Sequence, residues 1–140
     1  MYVFRRIPHD DVWGLMMRAD NPLAAKETVQ RADLLEEPLI VSEQAMKRHE
    51  LDHYFGNAAE KIEVAGTYNL LYNTIFFIEA GIGSALCFKG MAEAVGPSRG
   101  LVFRPLDPVV IRSANYVVWR RDQVFSRAGR LVVAALDEVF

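Results

Sequence analysis

At 140 residues, with 51% apolar and 24% charged side chains, the chain has the composition of one ordinary globular domain and carries no low-complexity tract. A net charge of −2 leaves no basic footprint for nucleic acid. The single cysteine, Cys87, excludes an internal disulfide and suits a reducing cytoplasm.

In chain order, residues 1–11 read as extended, and Pro8 disfavours helix at Ile7. The opening YVFRR is not followed by an apolar core and a small-residue cleavage site, so no signal peptide is read there. Residues 12–18 form a strand that Asn21-Pro22 breaks. Thr28 caps a short helix over 29–35, and Pro38 starts a strand over Leu39–Ser42. Ser42 then caps a helix across 43–55 that Gly56-Asn57 ends.

Residues 61–65 alternate polar and apolar, the period of a half-buried strand. Asn69 caps the next helix through its side-chain oxygen. Leu70, Leu71, Thr74, Ile75 and Ile78 recur there at helical spacing. Asn73, Thr74 and Glu79 and the shortness of this helix rule it out as a bilayer span. Gly81 and Gly83 close it. Ser84–Phe88 is a short apolar run of the kind found in a strand covered on both faces. A strand–helix–strand unit with so short a return implies a parallel pair and a right-handed crossover.

Lys89–Val95 makes one or two helical turns, stopped by Gly96-Pro97. Residues 101–106 alternate, with Pro105 placing them at a sheet edge or a strand end. Arg112–Arg120 is the last strand, and Asp122 caps the final helix. On that helix Val124, Phe125, Ala128, Leu131, Val132, Ala135, Leu136 and Val139 fall on one stripe.

The string TYNLLYN…EAGIGSALCF, within residues 67–88, resembles the second half of the effector-binding domain of LysR-type transcriptional regulators. Other parts agree in the same order. VWGLMMRADNPLA (12–24) is similar to the strand and turn that open the second subdomain of that family. Ala32-Asp33-Leu34 and Pro38-Leu39-Ile40-Val41-Ser42 resemble its next helix and strand, and YVVWRRDQVFSRAGRLVVAAL (116–136) its final strand and helix.

The resemblance implies an α/β fold: a three-layer open sheet, half of a periplasmic-binding-protein type II-like domain. Residues 1–120 would be the second regulatory subdomain with its hinge strands. Residues 121–140 would be a C-terminal helix that packs on a first subdomain absent from the chain, making this a fragment. The implied protein is a cytoplasmic homo-oligomer that binds a small-molecule effector in the cleft between subdomains. It would contact DNA only through an N-terminal domain absent here, and it would be neither an enzyme nor membrane-bound, with no cofactor. On this reading the helix stripe is exposed and hidden by dimerisation; the alternative is ordinary packing on the chain's own sheet. One lobe of an extracytoplasmic solute-binding protein, which shares the bilobal fold, is a second functional reading.

His49-Glu50-Leu51-Asp52-His53 matches H-E-x-x-H, so a third reading is a zinc hydrolase. His49 and His53 at i, i+4 would share the metal and Glu50 would activate its water, with Glu79 the nearest third ligand. Against it, Lys47, Arg48, Glu50 and Asp52 make the helix polar nearly all round, with Met46, Tyr54 and Phe55 as anchors.

In open α/β sheets, ligands sit beyond the carboxyl ends of the strands. Three such ends are legible: Val41-Ser42-Glu43-Gln44, Gly66-Thr67-Tyr68-Asn69 and Phe88-Lys89-Gly90. The positions matching the effector cleft of the family fall on the same ends. The candidate effector residues are therefore Ser42, Gln44, Thr67 and Tyr68, with Phe88 as an apolar wall. Each has a plainer reading: Ser42 and Thr67 as caps, Tyr68 as a buried ring, Phe88 as core. Glu43 places a negative charge at the mouth, which points to a neutral or cationic effector. The Arg5-Arg6 pair could offset it.

Overall fold

Strand β1 (Tyr2–Arg18) runs unbroken from the start of the chain, so the extended segment and the first expected strand are one element. The computed structural model describes residues 1–109 and 112–139, and for Leu51, Arg112 and Ser113 the backbone only. Those residues form two compact units, Val12–Arg112 and, separately, Met1–Asp11 with Ser113–Phe140.

The larger unit is built on a sheet with strand order β2-β6-β1-β5-β3-β4. Here β2 is Val29–Gln30, β3 Leu39–Ser42, β4 Val64–Tyr68, β5 Ser84–Phe88 and β6 Leu101–Asp107. Strands β2 to β6 all run parallel, and β1 runs against both its neighbours, β5 and β6. Helices cover both faces, so the central strands carry continuous apolar runs rather than alternation. Trp13 to Met17 in β1 and Ser84 to Cys87 in β5 are buried throughout.

The two-residue period of a strand divides these runs between two cores. Leu15, Met17, Leu39, Val41 and Leu86 face one way. They pack with Leu34 of α1 (Arg31–Leu34), Ala45 of α2 (Glu43–Lys47) and Tyr54 and Phe55 of α3 (Glu50–Phe55). Met16, Ile40, Ala85 and Cys87 face the other way. They pack with Leu71, Ile75 and Ile78 of α4 (Leu71–Glu79) and Ala92 of α5 (Lys89–Val95). Each of the buried Leu, Val, Ile, Met and Phe side chains contributes roughly 1.5–3 kcal/mol.

The fold is the expected mixed α/β sheet with helices on both faces. Several local expectations are corrected. The strand expected at 61–65 is displaced: a 3-10 turn fills Gly56–Lys61 and β4 begins at Val64. The β4–α4–β5 unit is parallel, but its strands are not neighbours, because β3 lies between them and pairs with both. Residues 29–35 are not one helix: Val29 and Gln30 are drawn into a short parallel pairing with Leu106 and Asp107. Only then does α1 start, with the Asp33 carboxylate accepting from the Gln30 N–H at 2.9 Å. Asn69 is not the cap of α4; Leu70 stands there without a side-chain cap, and it is exposed rather than core.

The close of α4 is a Schellman turn. Gly81 adopts φ 74°, its N–H reaches the Ile78 carbonyl, and the Ile82 N–H reaches that of Phe77, both at 3.0 Å.

In the smaller unit β7 (Arg112–Arg120) pairs with β1, and α6 (Arg127–Val139) follows. Asp122 does not cap α6; it pairs with Arg120 at 2.6 Å. The cap is Ser126, whose Oγ accepts from the Gly129 N–H at 3.2 Å. No residue of α6 is buried. Leu131 is 65% exposed, Val132 60% and Val139 70%, so the stripe lies open along the helix. Phe140, assigned to the same helix by the sequence, lies outside the described residues. Among the described residues, no helix is long and apolar enough to cross a membrane.

Candidate functional site

Because β2 to β6 are parallel, their carboxyl ends share one edge of the sheet: Gln30, Ser42, Tyr68, Phe88 and Asp107. Helices α1, α2 and α5 start at the next residue and α4 three residues on. Four helix starts therefore converge on one edge, each adding outward N–H groups and a positive dipole end. This is the edge at which open α/β sheets take ligands.

The candidate residues divide there into those that are engaged and those that are open. Ser42 Oγ accepts from the Ala45 N–H at 3.4 Å and caps α2. Gln44 is exposed on α2. Thr67 is exposed at the end of the edge strand β4. Tyr68 donates its phenol to the Leu86 carbonyl at 2.9 Å, and burial pushes its pKa above the ordinary tyrosine range. Phe88 lies against Trp13, ring centroids 4.5 Å apart, and packs on the core.

A pocket of about 300 Å³ lies between α4 and strands β3 and β4. Thr67 and Tyr68 line it; so does Glu43, whereas Ser42, Gln44 and Phe88 do not. Glu43 and Gln44 are separated by the roughly 100° that one helical step turns, which sends only one of them to the pocket. A broader groove of about 860 Å³ lies along β6 and α5, away from Thr67 and Tyr68. Most of its charged groups are already engaged, Lys26 with Asp33 at 2.7 Å among them. Arg104 Nε donates to the carbonyls of Ala24 and Lys26 at 3.1 and 2.6 Å, and Lys89 pairs with Glu93 at 3.6 Å. The smaller pocket is the better candidate because its polar groups are less committed.

Sequence reasoning missed a second group at this edge. The Arg31 guanidinium lies over the Tyr54 ring at 5.4 Å. Burial raises the Tyr54 pKa, while Arg31 opposes that rise. Tyr54 OH and Trp13 Nε1 are both buried without a hydrogen-bond partner. Tyr54 is legible as a helix anchor, but nothing local announces its pairing with a residue 23 positions upstream.

The H-E-x-x-H geometry does not form. The expected helix over 43–55 breaks at His49, which adopts the left-handed conformation (φ 55°) and stands as N-cap of α3. His49 Nδ1 lies 2.7 Å from Asp52 Oδ2 at the exposed surface. Glu79, the third ligand of that reading, is held by the Arg99 guanidinium at 2.7 and 2.6 Å. Met46 is exposed, leaving Tyr54 and Phe55 as the anchors. Among the described residues, no three of His, Cys, Asp or Glu are placed to hold a metal ion.

A family model described as the LysR substrate binding domain matches residues 2–140. An uncharacterized HTH-type transcriptional regulator, YvbU of Bacillus subtilis (strain 168), is 27% identical over 130 residues, covering 93% of this chain and 44% of that protein. A putative LysR family transcriptional regulator from Pseudomonas aeruginosa superposes with a TM-score of 0.75 at 15% identity, over 99% of this chain and 48% of that one. The regulatory domain of CcmR from Synechocystis PCC6803, solved in complex with 2-PG, gives a TM-score of 0.71 at 18% identity, over 99% of this chain and 66% of that one. The chain thus spans about half the length of the longer relatives it matches.

Proposed function

The chain belongs to the LysR substrate-binding domain family, and on that premise we propose that it is the ligand-sensing part of a transcriptional regulator. It performs no chemistry. It takes a small-molecule effector at the carboxyl edge of its sheet, in a cleft that a first subdomain of the regulator completes. The observation that supports this most is the convergence of four helix starts on one edge, beside a pocket carrying Thr67, Tyr68 and Glu43.

In the whole regulator, DNA contact falls to a separate segment, in keeping with the net charge of −2 here. The regulator works in the cytoplasm as a homo-oligomer. Effector binding shifts the balance between two arrangements of the protomers, by no more than its difference in affinity for them. The complex of the CcmR regulatory domain with 2-PG supports the reading by fold likeness.

A thermal-shift screen of small metabolites tests the proposal. A hit that raises the melting temperature, and loses that effect in Thr67→Ala, supports the assigned edge. Hits that are indifferent to Thr67→Ala and Ser42→Ala alike sink it.

A further inference from the structure

The pocket between α4, β3 and β4 has a charge pattern more specific than its position. Glu43 is the one carboxylate among the lining residues. Glu43 is half-exposed and its Oε1 takes a 3.0 Å ion pair with Lys47, which lies outside the lining. The lining contains no lysine, arginine or histidine.

Asn69, Leu70 and Asn73 bring the start of α4 into the same lining. That nine-residue helix has no side-chain cap. The Asn73 N–H already donates to the Leu70 carbonyl at 3.2 Å; the N–H groups of Leu71 and Tyr72 before it have no intrahelical acceptor, and the dipole presents positive charge there. The pocket therefore combines a site that favours a cation with one that favours an anion.

A second observation points to an occupant. Thr74 lines the pocket, is 1% exposed, and its Oγ1 has no hydrogen-bond partner in the protein. A buried hydroxyl without a partner is costly, and a polar group seated above it would offset that cost. Besides Thr67 and Tyr68, the lining includes the apolar side chains of Ile40, Phe77 and Ile82, the latter two about half exposed. Gly66 leaves the floor open, for a Cβ there would meet only Ile40 Cγ2, at 3.9 Å.

We infer that this pocket binds a zwitterionic α-amino acid with a large apolar side chain. The ammonium faces Glu43, the carboxylate takes the uncapped start of α4, and the side chain lies over Gly66 against Phe77 and Ile82. The inference rests on the sensing role proposed above and names the chemistry of its effector. A volume of about 300 Å³ suits a ligand of this size.

Calorimetric titration of the full chain with L-phenylalanine and L-leucine tests it. The controls are 3-phenylpropionate, which lacks the ammonium, and 2-phenylethylamine, which lacks the carboxylate. One or both amino acids bind, each control binds about fivefold more weakly, and Glu43→Gln lowers amino-acid affinity by a similar factor. Gly66→Val fills the floor and abolishes binding without lowering the melting temperature, since a β-branched residue suits a strand. Failure of both amino acids to bind, equal affinity for 3-phenylpropionate, or unchanged binding in Gly66→Val overturns the inference. A plain carboxylate that binds this edge when neither amino acid does overturns the zwitterion and leaves the sensing role standing. If no metabolite perturbs the edge, both readings fall.

Discussion

Replacing Gly14 by alanine drives a methyl group into the seam between β1 and β6. Gly14 sits opposite Pro105 in that ladder. A Cβ built on it would lie 2.1 Å from Phe103 Cζ and 2.4 Å from the Arg104 carbonyl oxygen. The phenyl ring can swing aside, but the carbonyl is backbone and held in the ladder. Reaching even 3.0 Å from that oxygen requires the strands to part by about 0.6 Å, which takes a ladder bond of ordinary length past the hydrogen-bonding range. Overpacking of this kind costs about 1–3 kcal/mol, and one or two weakened backbone bonds bring the total to roughly 2–4 kcal/mol. For a chain of 140 residues that is a fall of about 7–14 °C in melting temperature.

Circular dichroism through thermal and urea unfolding reads the change. Gly66→Ala is the matched control: its Cβ has room, so it holds or gains about 0.4–1 kcal/mol. Phe103→Ala in the Gly14→Ala background recovers little, because the carbonyl and not the ring is the obstacle. A Gly14→Ala protein within about 0.5 kcal/mol of the parent would refute the argument, because changes that small are typical of unconstrained surface positions.

Other consequences follow from the same geometry. The Arg99 guanidinium holds the Glu79 carboxyl below its ordinary range, chiefly through their hydrogen bond. A carboxyl depressed in the folded state adds stability above its unfolded-state pKa, and that contribution is lost as pH falls through the folded value. Arg99→Ala should therefore return the Glu79 titration, followed by carboxyl-carbon NMR, toward the ordinary glutamate range, and the stabilities of variant and parent should converge in acid. An unmoved titration refutes it. Equimolar zinc should leave the melting temperature unchanged, as should His49→Ala, because His49 is exposed at a helix break; a zinc-induced rise lost in His49→Ala would revive the metal reading. The open stripe of α6 should make the chain self-associate at high concentration, with Leu131→Asp restoring the monomer. Each apolar side chain hidden there contributes about 1.5–3 kcal/mol. Light scattering from a strict monomer would refute that.

What the residues announced was local, and what they hid was mostly pairing between distant segments. Leu71, Thr74, Ile75 and Ile78 mark the buried face of α4 because a 3.6-residue period is written into the sequence itself. The run Ser84 to Phe88 reads as a covered strand because it is short and apolar. That β3 inserts between β4 and β5 depends on contacts between distant segments, for which no local pattern exists. The two-residue β2 is likewise a product of its neighbour β6, since nothing in Val29-Gln30 alone opposes the helix that Thr28 would cap. The break at His49 has no glycine or proline to signal it. At the site, Thr67 and Tyr68 could be placed because strand ends and helix starts are visible in the pattern. Choosing between Glu43 and Gln44 needed the rotation of α2, and finding Phe88 against Trp13 needed the β1–β5 register.

The central claim is that a small molecule is sensed at the carboxyl edge of this sheet. Mapping backbone amide shifts by NMR while titrating the metabolites that raise the melting temperature tests it most directly. The account predicts that shifts cluster at residues 42–44, 66–69 and the start of α4. Shifts confined to α6 or to the opposite edge of the sheet, near Pro38 and Gly83, would contradict it.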